Sequence, residues 1–149
     1  MMRLFLDAEA QEAFGRKIGA RLGPGDVVTL SGPLGAGKTV LARGMLAAAG
    51  HAGEVPSPTF SLVQPYEGAA MRVPVWHADL YRLDDPAETA ALALTEILDD
   101  GALIVEWPDR GGAYVPGPAL ALTLAGTGDA PRRLTAEVPP GWEARWASL

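Results

Sequence analysis

The chain contains no cysteine, which excludes a disulfide framework, a thiolate metal site and a cysteine nucleophile. It also lacks any apolar run approaching the roughly 20 residues that cross a bilayer, so no membrane role is expected. The amino-terminal stretch MMRLFLDAEAQEAFGR carries acids and has no apolar core of about 7–15 residues before a small-residue cleavage site, so it does not read as a secretory signal. A cytoplasmic location is expected. Lysine occurs only at Lys17 and Lys38, and neither lies in the Asn-Lys-x-Asp pattern by which many GTPases read guanine, which disfavours GTP. Cations are scarce overall: 12 Lys and Arg stand against 18 Asp and Glu, for a formal charge of −6. Backbone recognition of nucleic acid needs clustered cations, so the charge argues against broad binding to RNA or DNA by this chain alone, and an RNA role would need basic partners. With 149 residues, 48% of them apolar and 20% charged, residues 1–149 are expected to form a single globular domain.

What the chain does have is the segment Gly32 to Thr39, GPLGAGKT, a full match to the phosphate-binding pattern GxxxxGK[ST]. It follows the apolar run Val27 to Leu30 and precedes a helix-like stretch. Glycines at 32, 35 and 37 permit backbone conformations closed to residues with a Cβ, so successive amides can turn inward around a polyphosphate. Leu34, Gly35, Ala36, Gly37, Lys38, Thr39 and Val40 are the candidate nucleotide contacts. Lys38 supplies a charge to the β and γ phosphates, and the Thr39 hydroxyl is a Mg²⁺ ligand. The positive end of the following helix favours an anion at the same place.

Periodicity predicts a strand over Arg3 to Leu6 and a helix capped by Asp7, with Ala10, Phe14, Ile18 and Leu22 on its apolar face. A strand over Val27 to Ser31 and a helix over Lys38 to Ala49 follow, the helix stopped by Gly50. Strands are predicted over Phe60 to Tyr66 and Val73 to Asp79, then a helix from Pro86 to Leu98 with Asp85 as its cap. Ala102 to Val105 is a fully apolar strand ending in Glu106, and Leu120 to Leu124 with Leu134 to Val138 read as a late hairpin. Strands alternating with helices imply an α/β fold of the P-loop NTPase type: three layers, α/β/α, around a mostly parallel central sheet with an added antiparallel hairpin.

Ligands of such sheets sit at the carboxyl ends of the strands, where two apolar strands end in acids, at Asp79 and Glu106. Glu106 lies where a metal-binding acid belongs. Asp79 fits a water-orienting acid, with a helix cap or an ion pair to Arg82 as its alternatives. His77 beside Trp76 reads as a packed, hydrogen-bonded residue. The segment Pro56 to Phe60 is either an ordinary proline turn or a loop whose Ser57 and Thr59 hydroxyls reach metal or phosphate. A small-molecule kinase and a nucleotide-sensing module both stay open from these residues.

Four motifs in order, LGAGKT ending at Thr39, SPTFSLV from Ser57, HADLYRL from His77 and VEWP from Val105, resemble the bacterial TsaE family, also called YjeE, over about residues 5 to 140. The resemblance implies an ATPase, using ATP/ADP and Mg²⁺, that joins the TsaB and TsaD proteins in threonylcarbamoylation of adenosine 37 of tRNA. Contact with tRNA would come only through that complex. It implies that Lys38 and Thr39 contact phosphate and Mg²⁺ and that Glu106 is the second metal-site acid. Thr59 matches the switch-like threonine, Asp79 the acid needed for activity, Trp107 the aromatic after the metal acid, and Arg133 a basic position close to the bound base. Lys38, Asp79, Thr59 and Glu106 are thus the expected catalytic set. Hydrolysis is expected to be slow alone and stimulated by partners, since no evident arginine finger appears. The chain departs from the family at Ala93 and Ile97, where a glycine and an aromatic residue are usual. Trp142 and Trp146, four apart in the tail, either close the core or form a docking surface.

Overall fold

The computed structural model describes residues 2–5, 7–58 and 62–149. Seven strands form one sheet in the order β1-β7-β6-β2-β5-β4-β3. They are β1 (Met2–Phe5), β2 (Val27–Ser31), β3 (Val63–Tyr66), β4 (Val75–Asp79), β5 (Ala102–Glu106), β6 (Leu120–Ala125) and β7 (Arg132–Glu137). The expected mostly parallel sheet is corrected: β6, β2, β5 and β4 run parallel and β6·β7 is the expected antiparallel hairpin, but β3·β4 and β1·β7 are antiparallel as well, making the sheet mixed. Parallel neighbours need a crossover of a dozen or more residues. Residues 67–74 between β3 and β4, and 126–131 between β6 and β7, are too few for one, so those strands turn back on themselves.

Helices α1 (Ala8–Gly19) and α2 (Lys38–Ala49) cover one face. Asp7 caps α1 by accepting the Ala10 amide at 2.8 Å, and Gly50, at φ 124°, ends α2. Alternation along the central strands sends Val28, Leu30 and Ile104 into this face with Phe14, Ile18, Leu41 and Met45. Trp142 and Trp146 complete it: both are only 3% exposed, and the Trp146 ring meets Phe14 edge-on at 5.8 Å, so the tail closes the core. The other face holds Val27, Leu103 and Val105 against Leu80, Leu83 and Leu94. Here the expected single helix over Pro86 to Leu98 is corrected. A 3₁₀ segment, Pro86–Leu92, breaks at Ala93 and resumes as the single turn α3 (Leu94–Ile97). Ala93 takes a left-handed conformation, φ 50°, ψ 45°, and a left-handed residue cannot lie inside a right-handed helix.

Candidate functional site

The strand order places the carboxyl ends of β2, β5 and β4 side by side. In register, Leu30 lies opposite Glu106 and Glu106 opposite Asp79. The glycine loop after β2 therefore arches over two acids contributed by its neighbouring strands. Two of its glycines are required by their surroundings. Gly32 has φ 145°, and a Cβ there would lie 2.6 Å from the Leu124 carbonyl oxygen; Gly37 has φ 97°, and a Cβ there would run into the Gln11 side chain.

A cavity of about 410 Å³ opens at this point, lined in part by Lys38, Thr39, Ser57, Asp79, Glu106 and Trp107. Leu34, Gly35, Gly37 and Val40 complete the loop side of the lining, while Ala36 is fully buried behind it. Lys38 bends back to donate to the carbonyls of Gly32 at 2.7 Å and Pro33 at 2.9 Å, with its ammonium 4.3 Å from the centre of the Trp107 ring. Burial pushes the Lys38 pKa below its ordinary value, against the opposing pull of Glu106 and Asp79. Trp107 itself stands at φ 58°, a left-handed conformation of the kind that clusters at functional sites.

Glu106 is 2% exposed. One of its oxygens, Oε2, accepts a 2.6 Å hydrogen bond from His77 Nε2, and the Thr39 hydroxyl lies 3.3 and 3.4 Å from the two oxygens. His77 is fully buried. It is packed and hydrogen-bonded as its sequence context predicts, and its bond also fixes the acid through Oε2, with the Thr39 hydroxyl spanning both carboxylate oxygens. Asp79, 4% exposed, accepts the Tyr81 amide on Oδ1 at 3.0 Å and the Ser57 hydroxyl on Oδ2 at 3.3 Å. The donor set is all hard oxygen: one hydroxyl and a carboxylate at Thr39 and Glu106, with a second hydroxyl and carboxylate at Ser57 and Asp79. That composition suits Mg²⁺, which takes one or two protein oxygens and completes its shell with water and phosphate. Thr59 lies outside the described residues.

Arg133 is not at the loop. It is exposed on β7 opposite Leu4 and Ala125, and its neighbour Arg132 reaches the loop instead, donating to the carbonyls of Gly35 at 3.2 Å, Gly128 at 3.1 Å and Ala130 at 2.6 Å. Strand alternation carries the signal for this: Arg132 shares its side with buried Leu134 and Ala136, Arg133 with exposed Thr135 and Glu137. Gln11 was likewise hidden in the reading of α1 as core packing. Only 2% exposed, its amide donates to the carbonyls of Ala36 at 3.2 Å and Gly37 at 2.9 Å. A polar residue three before Phe14 on an apolar helix face was the available clue. Lys38, Arg132 and Gln11 together hold carbonyls of residues 32, 33, 35, 36 and 37. A second cavity of about 360 Å³, lined by Gln11, Arg132 and Asp129 among others, adjoins the first across Gly35, Gly37 and Val40.

Fold and site define a class: a mixed α/β protein with a glycine loop set over paired acids at the carboxyl edge of its parallel strands. A family profile described as threonylcarbamoyl adenosine biosynthesis protein TsaE matches residues 5–134, and the chain belongs to the TsaE family. The tRNA threonylcarbamoyladenosine biosynthesis protein TsaE of Bacillus subtilis (strain 168) is 34% identical over 131 residues, 87% of this chain and 80% of that protein. The Haemophilus influenzae protein of the same name is 43% identical over 91 residues, 60% of this chain, and the match spans only 56% of its length. Among solved structures, that of Bacillus subtilus YdiB superposes with a TM-score of 0.83 at 27% identity, covering 99% of this chain and 92% of that one. Among the described residues, no helix is long and apolar enough to cross a membrane.

Proposed function

We propose that this chain is a single P-loop ATPase domain that binds and hydrolyses ATP with Mg²⁺ in the cytoplasm, in support of the TsaB–TsaD complex that threonylcarbamoylates adenosine 37 of tRNA. The observation that carries the reading is the meeting of Lys38, Thr39, Asp79 and Glu106 around one cavity. Its order of size, about 410 Å³, is that of small-ligand sites. Loop carbonyls turned toward protein donors let loop amides face phosphate, except that of Ala36, which donates to the Pro33 carbonyl at 3.2 Å. Lys38 exchanges its carbonyl partners for phosphate oxygens, and Thr39 and Glu106 hold the metal. Mg²⁺, when bound, neutralises phosphate charge and fixes the orientation of the transferred group. Asp79 or Thr59 orients the attacking water. Such catalysis is positioning and charge stabilisation, and the described cavity lining holds one cation, Lys38. A site with no arginine against the phosphates hydrolyses slowly, which supports completion by a partner, with tRNA met only through the complex.

Phosphate release from ATP·Mg²⁺ tests this, measured with the chain alone and with TsaB and TsaD of the same organism. Stimulation by the pair is expected. Lys38→Ala should lower the rate by roughly 10³-fold, the scale of removing one charge-stabilising donor. Glu106→Ala should raise the Mg²⁺ requirement more than it weakens ATP binding. No release in either condition despite ATP binding would overturn the ATPase reading in favour of a nucleotide sensor.

A further inference from the structure

The net charge of the chain is confined to one short stretch. Residues 84–100 hold Asp84, Asp85, Glu88, Glu96, Asp99 and Asp100 and no lysine or arginine. Taking these six from the 18 acids of the chain leaves twelve, matched by its 12 Lys and Arg, so the whole −6 belongs to this segment. All six are exposed, and none makes a salt bridge among the described residues. The segment is also the least regular cover of the sheet, a 3₁₀ run and one helical turn joined at left-handed Ala93. On either side of Ala93 and Glu96 lies a groove of about 340 Å³. One runs past Thr89, Leu94 and Tyr114; the other is floored by Val63, Trp76, Leu92 and Ile97 and edged by Asp100. No lysine or arginine lines either. Thr89 in the first groove is 1% exposed, and its hydroxyl has no hydrogen-bond partner among the described residues. A buried hydroxyl without a partner is costly, and it lies under the wall of the first groove, where Thr89 is one of the lining residues.

We infer that residues 84–100 form a docking surface for a basic protein face, whose arginine and lysine side chains meet these carboxylates while a side chain with an apolar body and a polar tip enters beside Thr89. The inference rests on the proposed role within a protein assembly and assigns the surface that makes the contact. Charge complementarity selects the occupant. Nucleic acid carries the same sign as the segment and is repelled. A second copy docking through a two-fold axis would set the same acids against each other. Exposed complementary charges mainly accelerate encounter and are screened by salt within about 8–10 Å at ordinary ionic strength, while a desolvated polar contact acts on dissociation. The two parts of the surface therefore leave separate signatures.

The test is binding of the chain to the TsaB–TsaD pair, at about 0.05 M and about 0.5 M salt. Wild type is compared with D84N/E88Q/E96Q/D99N/D100N and, separately, with Thr89→Val. The charge variant should bind roughly ten-fold or more weakly at low salt, with the gap closing at high salt. Its phosphate release without partners should equal wild type, since none of these residues lines the nucleotide cavity. Thr89→Val should keep or raise the thermal midpoint while weakening binding several-fold at both salts. Equal affinity of wild type and both variants at both salts would overturn the docking surface and leave the ATPase reading standing. Absence of any binding by wild type would overturn the assembly role and this inference together. Self-association or direct tRNA binding that the charge variant loses would overturn the choice of a basic protein partner.

Discussion

Helices α1 and α2 meet so closely that a Cβ on Gly15, Gly19 or Gly44 would collide with backbone of the facing helix: Leu41, Met45 and Glu12 respectively. On the opposite face the cover from Pro86 to Ile97 contains a left-handed alanine, a buried hydroxyl without a partner and two open grooves. The close-packed side also carries Gln11, which grips the glycine loop. Rigid support thus lies under the glycine loop, where the proposed catalysis by positioning needs it. The irregular cover lies where a partner can adapt to it. Local looseness of this kind marks low-stability elements that move or bind.

Breaking the close-packed side gives the largest expected effect. Gly19→Val places a branched side chain against Met45, where a Cβ would already lie 2.6 Å from its Cα. Forcing the helices apart should cost about 3 kcal/mol, read as a fall in the urea midpoint without a change in slope. An unchanged midpoint would mean that the two helices separate freely. Gln11→Met keeps the volume but removes both hydrogen bonds to the loop. Leaving the Ala36 and Gly37 carbonyls unmet should cost roughly 1–2 kcal/mol, appearing as about ten-fold weaker ATP binding by calorimetry. Wild-type affinity in this variant would show that the loop holds its shape without α1.

The irregular side responds in the other direction. Ala93 at φ 50° carries left-handed strain of about 1–2 kcal/mol, partly offset on replacement by the greater freedom of glycine in the unfolded chain. Ala93→Gly, which restores the residue usual in the family this sequence resembles, should stabilise the protein by about 0.5–1 kcal/mol, seen as a higher thermal midpoint. A lower midpoint would show that the break is held by its neighbours without strain.

Much of this contrast was legible in the sequence where a residue's role follows from its own chain neighbours. The glycine loop, the cap at Asp7, the stop at Gly50 and the acids ending β4 and β5 all lie where local pattern places them. The break at Ala93 was not legible from local pattern, because nothing in ALALTEIL disfavours helix, although the chain there departs from the glycine usual in the family it resembles. The late hairpin of β6 and β7 was legible from its two alternating runs, whereas the antiparallel edge at β3 depended on whether residues 67–74 cross the sheet or turn back. Gln11, 26 positions before the Gly37 carbonyl it holds, and Arg132, 97 beyond Gly35, act through contacts that only the folded chain creates. His77 was read correctly as packed, but its bond to Glu106 depends on the parallel register of β4 and β5.

The smallest expected effect concerns a flaw within the close-packed side itself. Tyr66 on β3 is 7% exposed, its ring edge-on to His51 at 4.6 Å, and its hydroxyl has no hydrogen-bond partner among the described residues. Burial raises its pKa above the ordinary 10.0, because the phenolate is disfavoured away from water. The unfolded chain releases this proton near pH 10, whereas the folded chain retains it to higher pH. Stability from this group is therefore intact below pH 10 and is lost as pH rises from there through the folded pKa. Tyr66→Phe removes the proton and the unmet hydroxyl together. At neutral pH the variant should match wild type or exceed it by at most about 1 kcal/mol, and its urea midpoint should fall less between pH 9 and 11. An identical alkaline decline in both proteins would place the buried titration elsewhere; a large loss at neutral pH would mean that the hydroxyl has a partner and that the close-packed side is more complete than its contacts indicate.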